Sequence, residues 1–200
     1  MNPLLPERAQ RDLVLASRSP RRIAILRGLE FEFEVVPAHD HVENSAICDE
    51  PFARAEVRAR LKAADVASRY PRATVIGADT VVIIDREVLE KPADDGEALR
   101  FLRKLGGREH VVVTGVAVRR ECDGIDVSGK EETRVRFREL SDDEIARYVS
   151  SGEGRDKAGA YAVQGLGAGL VRSIDGCFYN VVGLPVSLLF DLLRKTETEP

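Results

Sequence analysis

An α/β fold, built on a mixed, elongated sheet with flanking helices, is predicted by three features of this 200-residue sequence. Strand-like and helix-like patterns alternate through the first half of the chain. Hairpin signals accumulate in the second half, which adds antiparallel pairing to the parallel pairing expected of the first. The composition is that of an ordinary globular protein, with 44% hydrophobic and 32% charged residues.

Each element has its own local reason. Residues 12–16 (DLVLA) form a short apolar run that reads as a buried strand. Residues 20–27 carry Ile23, Ile25 and Leu26 near helical spacing, and Gly28 suits a left-handed helix end. Residues 31–36 alternate apolar and charged side chains, the pattern of a strand. The Ala-, Arg- and Leu-rich segment 51–69 reads as a helix. Residues 74–78 and 81–84 read as two strand runs, with Asp79 and Thr80 between them. Asp94 and Asp95 can cap a helix over 97–105 that Gly106 and Gly107 end. Residues 111–118 carry the strongest strand pattern, Asp123-Gly124 is a turn signal, and 133–137 alternate again. Ser141 followed by Glu144 is a capping box, opening a helix to about Val149. Beyond the glycine-rich stretch 152–169, short strands are expected at 169–173 and 178–182, split by a turn at Asp175-Gly176. Residues 185–193 close the fold as a helix with Pro185 in its first turn, and 196–200 read as a frayed tail.

Composition also excludes some classes. Thirty Lys and Arg against 34 Asp and Glu give a net charge of −4, a poor match to long nucleic acid. The first eight residues lack the apolar core of a signal peptide, and no apolar run reaches 18 residues, so no membrane partner is expected. Three cysteines, Cys48, Cys122 and Cys177, make an odd count without CxxC spacing, which argues for free thiols and a cytoplasmic location.

Four short segments carry charge where chemistry could use it. Residues 17–22 (SRSPRR) lie where a strand gives way to a helix, with Ser19 as N-cap and Pro20 at the first helical position. Arg21 and Arg22 then sit at the positive end of the helix, a repulsion that a bound anion would relieve. Solvated ion pairs are the plainer reading. Asp79, in GADTVV (77–82), is an acid at the end of a buried strand, where it serves a metal, a reaction or a turn. Gly77 beside it would let a ligand approach the backbone. Lys91 in LEKP (89–92) and Lys157 in DKAGAY (156–161) could neutralise phosphate, although surface lysines usually do not. The glycines at 165–169 precede a strand-like run rather than a helix, so they are not a dinucleotide fingerprint. His39, Asp40 and His41 lack further ligands at readable spacing.

Taken in order, LASRSPRR (15–22), GADTVV (77–82), LEKP (89–92), VVTGVAV (112–118), DKAGAYAVQGLGAG (156–169) and NVVGLP (180–185) closely resemble the Maf family of nucleotide pyrophosphatases. The resemblance runs from about Leu13 to Leu193 and implies a single domain of 1–200, with the related inosine-triphosphatase-like architecture of two lobes around a cleft. It implies hydrolysis of a nucleoside triphosphate to the monophosphate and pyrophosphate with a divalent cation, Mg²⁺ or Mn²⁺. Asp79 then matches the proton acceptor, Ser17, Arg21 and Arg22 the phosphate-binding turn, Lys62 a lysine on the second helix, and Lys91 the KP-loop lysine. Arg21, Thr80 and Gln164 match specificity positions of the branch acting on dTTP and UTP. Lys157 joins the substrate-binding candidates. The family usually has an acidic pair after its second strand. Here the segment reads PAHDHVE (37–43), leaving Asp40 or Glu43 to join Asp79 at the metal. A nucleotide-binding regulator of septum formation with little turnover, a 7-methyl-GTP pyrophosphatase and a homodimeric assembly stay open.

Overall fold

The structure, a computed structural model, describes residues 2–44 and 48–197, and for 43 and 44 the backbone alone. In chain order the elements are β1 (Leu13–Leu15), α1 (Pro20–Gly28), β2 (Phe33–Val35), α2 (His41–Asn44), α3 (Pro51–Arg69), β3 (Thr74–Ile84) and β4 (Glu87–Leu89). They continue with α4 (Asp95–Leu105), β5 (Glu109–Arg120), β6 (Ile125–Phe137), α5 (Asp142–Ser150), β7 (Val171–Asp175), α6 (Phe178–Val182) and α7 (Val186–Lys195). The strands run in the order β2-β1-β3-β5-β6-β7, with β4 on β3. β1 is parallel to both β2 and β3, whereas β4 and β7 pair antiparallel with β3 and β6. The expected mixed α/β sheet is therefore present. Among the described residues no helix is long and apolar enough to cross a membrane.

The chain divides into two compact units. The first comprises Met1–Asp79, Thr114–Glu131 and Gly183–Pro200, and the second Thr80–Val113 and Glu132–Val182. Each has its own apolar core. In the first, Leu15, Leu26, Ile76, Val116, Leu189 and Leu193 cluster, while Val14, Ala59, Ala63, Val66 and Val75 form a further group. In the second, Leu89, Leu102, Leu105, Val135, Phe137 and Ile145 pack together.

In the first unit α3 is seated by small residues. Ala55, Ala59 and Ala63 recur every fourth position on one helical face, and all are buried. They meet two strand glycines. A Cβ added to Gly77 would lie 2.2 Å from the Ala59 carbonyl oxygen, and one added to Gly115 would lie 2.4 Å from that of Ala55. The helix backbone thus rests directly on the sheet, so Gly77 serves helix packing rather than the ligand approach anticipated for it.

In the second unit the caps behave as the sequence implies. The Asp94 carboxylate accepts from Glu97 N at 2.7 Å, and Ser141 forms a reciprocal capping box with Glu144. Arg138 and Ser141 together hold the Glu144 carboxyl down at about 2.

Four local expectations need correction. β3 runs unbroken through Asp79 and Thr80, because a charge tolerated by pairing need not end a strand. Gly28 closes α1 in a helical turn, and the left-handed residue beyond it is Glu30, with φ 59°. The run 178–182 is a helical turn, not a strand. Asn180 N donates to the Cys177 carbonyl, and the buried Asn180 amide donates to Val112 O at 3.0 Å and Thr133 Oγ1 at 2.9 Å. At the C-terminus Thr196 is buried rather than frayed, its hydroxyl donating to Leu193 O, while 198–200 lie outside the described residues.

Candidate active site

The β1–α1 turn follows directly from its sequence. Ala16 N donates to Ile76 O at 2.8 Å, fixing the end of β1 against β3. Ser19 caps α1, its hydroxyl accepting from Arg22 N at 3.5 Å, and Pro20 takes the first helical position. Ser17 is buried, and its hydroxyl accepts from Ser19 N. Arg22 turns inward: Nε donates to Gly183 O at 2.8 Å and Nη1 to Ser17 Oγ at 3.1 Å. It braces the serine that opens the turn, whereas Arg21 stays half-buried beside it. The positive end of the helix dipole and the two guanidinium groups beside it make this a favourable place for an anion.

Asp79 lies on β3 two residues beyond Gly77, so both face α3. The close seating of that helix brings Lys62 to the carboxylate, with Nζ donating to Asp79 Oδ1 at 2.7 Å. Lys62 and Asp79 are only 6% and 8% exposed, so the pair is desolvated and its geometry restrained. Arg58, one turn earlier on α3, places Nη1 3.7 Å from Asp79 Oδ2. That separation is an ion pair but not a hydrogen bond, and among the described residues the buried Oδ2 has no hydrogen-bond donor. Arg58 was not singled out in the sequence. Its signal was the four-residue spacing to Lys62, concealed in a helix full of arginine and alanine.

Ser17, Arg21, Arg22, Lys62 and Asp79 belong to the first unit; Thr80, Lys91, Lys157 and Gln164 belong to the second. Within the second unit the two lysine loops, read separately in the sequence, are joined: Gly159 N donates to Glu90 O at 3.2 Å. Lys91 is exposed, and Thr80 is half-buried. Lys157 Nζ donates both to its neighbour Asp156 and to the Glu153 carbonyl. Gln164 is exposed and opens the turn of 3-10 helix Gly165–Leu170. Glu153, also unmarked in the sequence, accepts from the backbone of that turn.

A metal ion is compatible with this donor set. Asp79 Oδ2, which accepts no hydrogen bond among the described residues, offers one hard oxygen ligand. Among the described residues no three His, Cys, Asp or Glu side chains gather as a metal cluster. Asp40 is exposed and paired with Arg18 at 2.7 Å, while the Glu43 side chain lies outside the described residues. One protein carboxylate supplemented by phosphate oxygens and water is a common arrangement for Mg²⁺.

Fold and site together define an α/β protein with a buried, cation-flanked carboxylate and an arginine-bearing helix start. The Maf-like protein family model matches residues 12–196, and the chain belongs to that family. A dTTP/UTP pyrophosphatase of Ruminiclostridium cellulolyticum is 42% identical over 185 residues, 92% of this chain and 96% of its own length. Another dTTP/UTP pyrophosphatase, from Symbiobacterium thermophilum, is 48% identical over 184 residues, 92% of this chain and 93% of its own. Among solved structures, the Staphylococcus aureus Ham1 protein aligns with 62% of this chain and 71% of its own at 17% identity, with a TM-score of 0.44.

Proposed function

We propose that this chain hydrolyses dTTP and UTP between the α- and β-phosphates, releasing the nucleoside monophosphate and pyrophosphate. Its relatives named dTTP/UTP pyrophosphatase, similar over nearly their whole length, support the reaction and the substrates. The observation that carries the reading within the site is Asp79, a buried carboxylate with one oxygen held by Lys62 and the other without a hydrogen-bond donor among the described residues.

In this reading Asp79 orients the attacking water through Oδ2 and receives its proton. The crowded negative charge of the triphosphate suits the reaction to a divalent cation, Mg²⁺ or Mn²⁺. Such a cation, when bound, neutralises phosphate charge and acidifies water. Lys62 offers positive charge to the departing pyrophosphate, joined by Arg58. Ser17, Arg21 and Arg22 hold phosphate at the start of α1. Lys91 and Lys157 offset further phosphate charge, while Arg21, Thr80 and Gln164 select the nucleotide. The glutamine amide has both a donor and an acceptor and can match the O4 and N3–H edge of uracil or thymine. A cytoplasmic location accompanies this reading, because free nucleoside triphosphates are found there. The net charge of −4 favours a small nucleotide over long nucleic acid.

The test is a metal-supplemented comparison of dTTP, UTP, CTP, ATP, GTP and 7-methyl-GTP, with a chelator control. The expected result is pyrophosphate from dTTP and UTP, abolished by the chelator. Preference for 7-methyl-GTP or a purine triphosphate would refute the substrate assignment, and full activity in chelator would remove the cation.

A further inference from the structure

We infer that Glu153 is a positioning residue for nucleotide selection, its carboxylate setting the Gln164 turn while its backbone carbonyl holds the Lys157 ammonium. The inference rests on the reading of Gln164 as a base-selecting residue. All the groups involved lie within the second unit.

Glu153 follows α5, just beyond the turn at Gly152. Its carboxylate accepts from Leu166 N at 2.9 Å through Oε1 and from Gly167 N at 2.8 Å through Oε2. Oε2 also accepts from the Tyr148 hydroxyl at 2.8 Å, and that hydroxyl oxygen accepts from Ala162 N at 3.1 Å. The segment on both sides of Gln164 is thereby tied to one carboxylate. Gly165 is in the left-handed region at φ 67°, and a Cβ there would stand 2.2 Å from Glu153 Oε1. At Gly167 a Cβ would stand 2.1 Å from Ala162 O. The glycines therefore allow the backbone to close around the acid, with Gln164 carried on the edge of the resulting turn. The Glu153 backbone carbonyl meanwhile accepts from Lys157 Nζ.

Burial opposes ionisation, yet the Leu166 amide, the Tyr148 hydroxyl and the Gly167 amide hold the Glu153 carboxyl below the ordinary carboxylate range. Its charged form is thus the one the turn is built around. An amide at this position would set an NH₂ group against backbone N–H donors and release the turn that presents Gln164.

The experiment measures kcat and KM for dTTP, UTP, CTP and ATP with wild type, Glu153→Gln, Glu153→Asp and Gln164→Glu, together with Tm. Glu153→Gln is expected to lower the dTTP-to-ATP ratio of kcat/KM by at least ~5-fold, the effect of one mis-set hydrogen bond. The loss should appear mainly in KM for dTTP, and Glu153→Asp, which keeps the charge, should restore part of it. Equal losses on every nucleotide, or an unchanged ratio, overturn the inference. If Gln164→Glu changes the ranking and Glu153→Gln does not, the Glu153 inference falls while the base-reading role of Gln164 stands. If only Glu153→Gln changes the ranking, Glu153 sets selectivity through another group of the turn, and the Gln164 assignment falls. If neither changes it, both fall. Should Glu153→Gln fail to fold, Tyr148→Phe removes one donor from the carboxylate and is expected to shift the ratio in the same direction; an unshifted ratio there counts against the inference.

Discussion

Lys62 Nζ donates to Asp79 Oδ1 across 2.7 Å, joining α3 to β3 in a pair that is almost sealed from solvent. Under the proposed reaction, Asp79 has two tasks, in chemistry and in folding. Asp79→Asn removes charge and basicity while keeping shape. Its kcat should fall by at least ~10²-fold, the lower end of what a positioned general base contributes. Stability should also fall, by up to about 3–5 kcal/mol, because Lys62 loses its buried counter-charge. Steady-state kinetics and denaturant titration check the two effects separately. Near-normal turnover by folded Asp79→Asn would remove the residue from the reaction.

The glycine beneath α3 gives a packing test. At Gly77 an added methyl meets helix backbone, which cannot rotate away, so Gly77→Ala should cost about 1–3 kcal/mol or more and disturb the Lys62–Asp79 pair. Gly28 is the control, since a Cβ there meets nothing within 4 Å and the residue is already helical. Gly28→Ala should stabilise by about 0.5–1 kcal/mol. Equal tolerance at both positions, read by chemical denaturation, would contradict the seating of α3 on the sheet.

Gln164 tests selectivity. An ionised glutamate cannot donate, so Gln164→Glu should erode the preference for uracil and thymine more than it lowers kcat on the remaining substrates. The wild type should favour dTTP and UTP over ATP and GTP by at least ~10-fold in kcat/KM, within the range of one unsatisfied polar group. A parallel loss on every nucleotide would reduce Gln164 to a brace for its loop.

His110 supplies a pH dependence. Burial lowers its pKa from the ordinary 6.5 to about 4, while Nε2 lies 2.8 Å from the Tyr161 hydroxyl. The folded protein holds the neutral ring, and the unfolded chain binds a proton near the ordinary value. Stability from this group is therefore complete above the unfolded pKa and decreases as pH falls between the two, by about 3 kcal/mol in all. Denaturant titrations of wild type and His110→Phe across that window should diverge, with wild type losing more. Parallel curves would mean that His110 binds its proton equally well folded and unfolded, and would contradict its burial as a neutral ring.

The sequence was most legible where structure is local. The bounds of α3, its opening at Pro51, the Asp94 cap and the Ser141–Glu144 box all depend on near neighbours. It was less legible where a distant partner decides. Asp79 reads as a strand break until Lys62, 17 residues away, neutralises it. Residues 178–182 read as a strand because a five-residue apolar run has no distinctive period; the helical turn is held through Asn180 by Thr133 and Val112. Arg58 and Glu153 were hidden for the same reason: each looks like an ordinary surface charge until its partner is known. The Glu43 side chain, one of two candidates for a second metal carboxylate, lies outside the described residues.

The most direct test of the account is the identity of the products formed from dTTP and UTP, in protein free of contaminating phosphatase. Cleavage between the α- and β-phosphates should release dTMP and UMP with one pyrophosphate each, and the Asp79→Asn variant should form both products at least ~10²-fold more slowly. Release of dTDP, UDP and inorganic phosphate would place the cut at the terminal phosphate and contradict the account.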